Sequence, residues 1–313
     1  MTLSMAWIRT VGTAHELVFA SDSRLSGCQA WDGCPKILTL ARGDSLIAFA
    51  GDTLDAYPLI LQFRNWVESD PRARTRERDI SELKKRMRLM FMDMRAHITA
   101  LPRGVTAPDP YGCELIFGGW SWRSNAFRLW RFHWVEVEAA YNFSSIGSHF
   151  SVGHHHPIIF AGNRDAAAMA KERITALLKA RGRFRTPYFD MEPFEVLRDI
   201  IREQAFHDIG GPPQLAKVCR HSNSQPFAVR WDTPTSKSEL TMLGRPRFPG
   251  ERTWAPVIDP DKIEFRNPRT LAKHARSAAK GSDGARTWRC RSEGFDNPRR
   301  QQTPRLTCLT RLH

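Results

Sequence analysis

No apolar stretch in the 313 residues approaches the roughly 20 that a membrane-spanning helix needs, so no helical span is expected. The opening MTLSMAWIRT lacks a basic segment followed by an apolar run and a small-residue cleavage site. No signal peptide is therefore expected, and the cytoplasm is the expected location. The six cysteines (Cys28, Cys34, Cys113, Cys219, Cys290 and Cys308) include no C-x-x-C pair, which argues against a zinc ribbon or redox motif. Gly118-Gly119 and Gly210-Gly211 are not followed by the Lys-Ser/Thr of a phosphate-binding loop. His154, His155 and His156 are consecutive, and three adjacent strand residues cannot all face one ion. With no carboxylate or cysteine at ligand spacing, a mobile loop is expected there, and neither metal nor cofactor.

What is present suffices for a substantial core: 41% of residues are hydrophobic. The net charge of +14 would suit a nucleic-acid partner, but most of the excess lies in an Arg-rich stretch beyond about residue 264. The chain therefore reads as a domain over residues 1–263 and a basic, disordered tail over 264–313, where apolar positions are few. Only the tail is a candidate for nucleic acid.

Leu3 to Ile8 and Leu17 to Ala20 read as strands joined through Val11, Gly12, Thr13 and Ala14. Ile37 to Leu40 and Leu46 to Ala50 read as a second hairpin. Asp52 or Thr53 caps a predicted helix containing Pro58. Asp79 caps another, with Glu82 at capping-box spacing, and Leu83, Met87, Met90 and Met94 on one face as core. Strands return at Glu114 to Trp120, Phe127 to Trp134 and Val135 to Tyr141, with tryptophans on a packed sheet face. Asn163 caps a third helix that stops at Gly182, and Pro193 opens a fourth. Gln214 to Val218 and Pro226 to Trp231 read as last strands. Strand blocks separated by helix pairs do not suit a βαβ repeat. They suit an α+β fold, a four-layer αββα sandwich with two antiparallel sheets between helix layers.

Thr2 carries the first chemical clue. Met before a small residue is normally trimmed, and a threonine so exposed has a hydroxyl beside its own α-amine. That amine has an ordinary pKa near 7.7–8.0, so it can take the hydroxyl proton near neutral pH. Three short segments follow at predicted strand ends: Ala20-Ser21-Asp22-Ser23-Arg24, Cys34-Pro35-Lys36-Ile37 and Phe49-Ala50-Gly51-Asp52-Thr53. In this order they resemble the proteasome β-subunit family of N-terminal-nucleophile (Ntn) hydrolases and its bacterial relative, over about residues 2–235. The resemblance implies that Thr2 is the nucleophile, Asp22 and Lys36 the catalytic acid and lysine, and Gly51 the donor of the oxyanion-hole N–H. Ser145-Ile146-Gly147-Ser148 resembles the family's glycine-serine turn, so Ser148 would hydrogen-bond near the threonine amine. His207-Asp208-Ile209-Gly210-Gly211 resembles its aspartate turn, with Asp208 as the second acid and Gly211 where a serine is usual. The loop between the first two strands is longer than the family's, so Asp22 aligns only if Gly12 to His15 bulge out.

The implied activity is that of an N-terminal threonine amidohydrolase, a peptidase that cleaves amide bonds through an acyl-enzyme on Thr2. The implied partners are a peptide or protein substrate and further copies of the chain in a closed ring, with an unfoldase that nothing in the sequence identifies. The alternatives are an inactive scaffold or binding module on the same fold, and nucleic-acid binding through the basic tail.

Overall fold

The computed structural model describes residues 2–12, 14–27, 29–145, 151–152, 156–220, 223–234 and 236–267. Ser148, His154, His155 and the basic stretch from residue 268 lie outside the described residues.

The chain opens on a hairpin, β1 (Leu3–Val11) and β2 (Ala14–Ser21). Its strands stay in continuous register from Ser4↔Ser21 to Val11↔Ala14. The added length therefore extends both strands, and Ala14 and His15, expected in a bulge, are paired instead with Val11 and Thr10. A short ribbon follows, β3 (Leu25–Ser26) and β4 (Ala30–Trp31), then a second hairpin, β5 (Ile37–Thr39) and β6 (Ser45–Gly51). Helices α1 (Thr53–Ser69), α2 (Pro71–Arg74) and α3 (Ile80–Arg95) lead to β7 (Cys113–Ser121), β8 (Ala126–Val135) and β9 (Ala140–Ser145). Two strands that the sequence reading lacked, β10 (Ser151–Val152) and β11 (His156–Gly162), run into α4 (Arg164–Ala180) and α5 (Glu192–Glu203). Last come β12 (Gln214–Cys219), β13 (Asn223–Pro226), β14 (Ala228–Trp231), β15 (Glu239–Met242), β16 (Arg245–Pro246), β17 (Val257–Asp259) and β18 (Glu264–Arg266).

Local chemistry sets the helix starts. The side chains of Asp52, Asp79 and Asn163 accept from the backbone N–H groups of Leu54, Ser81, and both Asp165 and Ala166, supplying partners that a helix start otherwise leaves to water. Glu82 does not close the capping box. Its carboxylate is drawn outward to the Arg123 guanidinium, which is the stronger, charge-assisted partner.

One six-stranded sheet runs β10-β11-β1-β2-β12-β13, and a five-stranded sheet runs β5-β6-β7-β8-β9. Every pairing in both is antiparallel. Alternation along each strand gives each sheet two apolar faces. Leu3, Met5 and Trp7 of β1 pack with Ile174 and Leu178 of α4 and Leu197 and Ile200 of α5. Ala6 and Phe19 point the other way, into a cluster with Leu46, Ala48, Ala50 and Ile116 of the second sheet. The opposite face of that sheet, Ile47, Phe49, Leu115 and Phe117, packs on Ile60 and Phe63 of α1 and Leu83 and Phe91 of α3. Burial of both faces is why these strands read as nearly continuous apolar runs. Met87 is buried in this last cluster, with Met90 and Met94 packed at its edge. A further five-stranded sheet, β16-β15-β14-β17-β18, builds on β14, the strand expected at Pro226 to Trp231, and adds four strands that the sequence did not declare, with β14 and β17 parallel. Among the described residues no helix is long and apolar enough to cross a membrane, which says nothing of strand-built membrane proteins.

Candidate functional site

The site forms where β1 begins and β2 and β6 end. Register places Asp22, one residue past β2, across from Leu3, so its carboxylate reaches the start of the chain. Asp22 Oδ1 accepts from the Leu3 N–H at 3.1 Å, while Oδ2 accepts from the N–H groups of Arg24 at 3.1 Å and Gly210 at 3.2 Å. Lys36 enters from the residue before β5. Its Nζ donates to both Asp22 oxygens at 3.0 Å each and to Thr2 Oγ1. Thr2 is 3% exposed, and Asp22 and Lys36 are wholly buried.

Burial drives the electrostatics of this trio. It pushes the Lys36 ammonium below its ordinary value, against the pull of Asp22. It raises the Asp22 carboxyl, against Lys36 and the Gly210 and Leu3 N–H donors. An ion pair in a dry site has its neutral form brought closer for both partners. A lysine so shifted suits contact with a threonine hydroxyl that must lose a proton.

The other predicted residues divide. Gly51 closes β6, one residue after Ala50, and Ala50 packs against Gly162 beside the Thr2 carbonyl. The Ser4 hydroxyl ties the same strand ends together, bonding Ser21 Oγ at 2.7 Å and donating to the Phe49 carbonyl at 2.8 Å. Asp208 is half-buried near this group. Burial raises its carboxyl, but the donors around it, the Asn163 amide among them, outweigh that and hold it below the usual range. Its charge also reaches Lys36. Ser148 lies outside the described residues. A side chain at Gly211 would put its Cβ 2.5 Å from Ser23 Oγ. The volume a serine would need at 211 is thus already filled. His156 opens β11, and among the described residues no group of three His, Cys, Asp or Glu side chains is arranged to hold a metal.

Two residues were missed as site residues by the sequence reading. Gln214, wholly buried at the start of β12, donates from Nε2 to the carbonyls of Asp22 at 3.1 Å and Cys34 at 2.8 Å. Its Oε1 accepts from the N–H of Lys36 at 3.0 Å and of Ile37 at 3.2 Å. One amide therefore fixes the backbones that carry both Asp22 and Lys36. The signal was a long polar side chain opening the buried strand QLAKVC. Asn163 was read only as a helix cap, yet its backbone N–H also donates to the Thr2 carbonyl at 2.8 Å. The preceding Gly162 has φ +108°, and any Cβ there would overlap the Thr2 carbonyl oxygen. Its N–H is held by Glu114 Oε2 at 3.0 Å, a carboxylate itself paired with Arg131.

No protein-family model matches the chain, and no curated protein matches it. Among solved structures it is similar to the Anbu (Gly-1) mutant from Hyphomicrobium sp. strain MC1, at 14% identity and a TM-score of 0.47, over 72% of this chain and 85% of that one. These findings correct the expected membership of the proteasome β-subunit family. The short motifs at the strand ends do not extend into a match over the chain, and a likeness this distant assigns no family.

Proposed function

We propose that the protein is an N-terminal threonine amidohydrolase acting on peptide or protein amide bonds, with Thr2 as nucleophile after removal of Met1. We read its architecture as helix–sheet–sheet–helix layers, a reading supported by the three apolar clusters on the sheet faces. The observation that carries the function is the buried contact of Lys36 Nζ with Thr2 Oγ1 on one side and both Asp22 oxygens on the other. A threonine hydroxyl wholly enclosed with an ion pair has little structural purpose, since burying the pair costs more than its attraction commonly returns.

In this reading Thr2 Oγ attacks the amide carbon and its proton passes to the Thr2 α-amine. Lys36 stabilises the developing alkoxide, and Asp22 orients Lys36. The Gly51 N–H receives the oxyanion, a donor worth roughly 10²–10³ in rate. As the C–N bond breaks, the α-ammonium returns its proton to the leaving amine. Water then attacks the ester, giving a carboxylic acid and restoring Thr2. A cytoplasmic location is part of the reading, supported by Cys34 and Cys113 being buried free thiols.

The test is N-terminal sequencing and intact mass after exposure to a β-lactone acylating agent. A chain that begins at Thr2 and carries one adduct there is expected. A chain that retains Met1, or that begins at Thr2 and gains no adduct, overturns the reading.

A further inference from the structure

Asn163 makes more contacts than a helix cap requires. Its Oδ1 accepts from the N–H groups of Asp165 at 3.0 Å and Ala166 at 3.1 Å, which fixes the amide orientation because only the oxygen can accept. The Nδ2 group is thereby turned the other way and donates to Asp208 Oδ2 at 3.4 Å. Ser, Thr or Asp would cap α4 as well. Asp would set a carboxylate against Asp208, and Ser or Thr would have a single hydroxyl for both tasks. Asn is the capping side chain with a donor left over. Its backbone N–H holds the Thr2 carbonyl at 2.8 Å, while Asp22 Oδ1 holds the Leu3 N–H at 3.1 Å. The peptide unit between Thr2 and Leu3 is thus gripped on both sides, and the direction of the Thr2 side chain follows from it. Asn163 is 9% exposed.

We propose that Asn163 is a positioning residue for the nucleophile: its backbone N–H fixes the plane of the Thr2 peptide, and its side-chain amide orients the Asp208 carboxylate toward the same centre. The proposal rests on the amidohydrolase reading above. It distinguishes the two halves of the Asn163 side chain, which a purely structural cap would not.

The experiment compares the rate of β-lactone adduct formation, followed by intact mass, with Tm for the full chain and for Asn163→Asp and Asn163→Ala. Asn163→Asp keeps the cap and the backbone donor but faces Asp208 with a second carboxylate. Asn163→Ala loses the cap but leaves Asp208 unopposed. Positioning predicts opposite rankings. Asn163→Asp keeps a Tm near that of the wild type yet forms the adduct about tenfold or more slowly; Asn163→Ala has the lower Tm and the faster reaction of the two. Rates that follow the order of Tm overturn the proposal, as do equal rates for Asn163→Asp and the wild type. A wild-type chain that begins at Thr2 and forms no adduct overturns the amidohydrolase reading itself, an outcome separable from the others.

Discussion

Lys36 is the residue on which the chemistry turns, because it is the one cation in hydrogen-bond contact with both Thr2 Oγ1 and Asp22 among the described residues. Replacing it by Met keeps much of the volume and removes the charge. Asp22 then retains three backbone donors but loses its counter-ion inside a dry site. Lys36→Met is expected to cost about 3–5 kcal/mol in stability, measured by denaturant unfolding. It is expected to slow β-lactone adduct formation by roughly 10²–10⁴-fold, measured by intact mass. A variant that reacts at the wild-type rate would remove Lys36 from the chemistry. Gln214 belongs to this scale too, since its single amide spans four backbone groups of two segments.

Among the elements, α3 shows how a cap serves both a helix and the sheet beside it. Asp79 Oδ1 accepts from the Ser81 N–H at 2.9 Å, and Oδ2 accepts from Ser121 Oγ at 2.9 Å and the Arg123 N–H at 3.4 Å. The helix start is thereby joined to the β7–β8 turn. Burial raises the Asp79 carboxyl, but these donors outweigh it and hold it below its ordinary range. A depressed carboxyl adds stability that is complete above its unfolded value and is lost as pH falls through the folded one. Asp79→Ala is expected to cost about 1–3 kcal/mol at pH 7. The gap from wild type should narrow as pH falls below about 4, as measured by urea unfolding at several pH values. A gap independent of pH would contradict the charged cap.

On the scale of the whole molecule, the third sheet is tied to the site. The turn between β15 and β16 lies against β2's end: a Cβ at Gly244 would sit 2.5 Å from the Ser23 Cβ and 3.3 Å from Gln214 Nε2. Leu243 packs on the apolar cluster between the two larger sheets. Gly244→Val is therefore expected to disturb Ser23 and Gln214 together, costing about 1–3 kcal/mol and slowing adduct formation at Thr2. Loss of stability with an unchanged reaction rate at Thr2 would show that the turn does not communicate with the site.

The sequence by itself determined what depends on neighbours a few residues apart. Asp52, Asp79 and Asn163 are caps because an Asx side chain reaches the N–H groups two or three residues on. Most strand and helix cores follow from apolar runs and periodicity, and the motifs at Asp22 and Lys36 were legible because they punctuate strand ends. Tertiary structure decided what depends on partners far along the chain. β11 pairs with β1, and that register alone carries Gly162 and Asn163 to the Thr2 carbonyl. No local pattern encodes it. The assignment of Gln214 to backbone groups 177 to 192 residues away is of the same kind. So are β15 to β18, too short for alternation to declare them. Their edges are satisfied by pairing with one another, and such pairing is chosen when the chain packs, not when its residues are read in order.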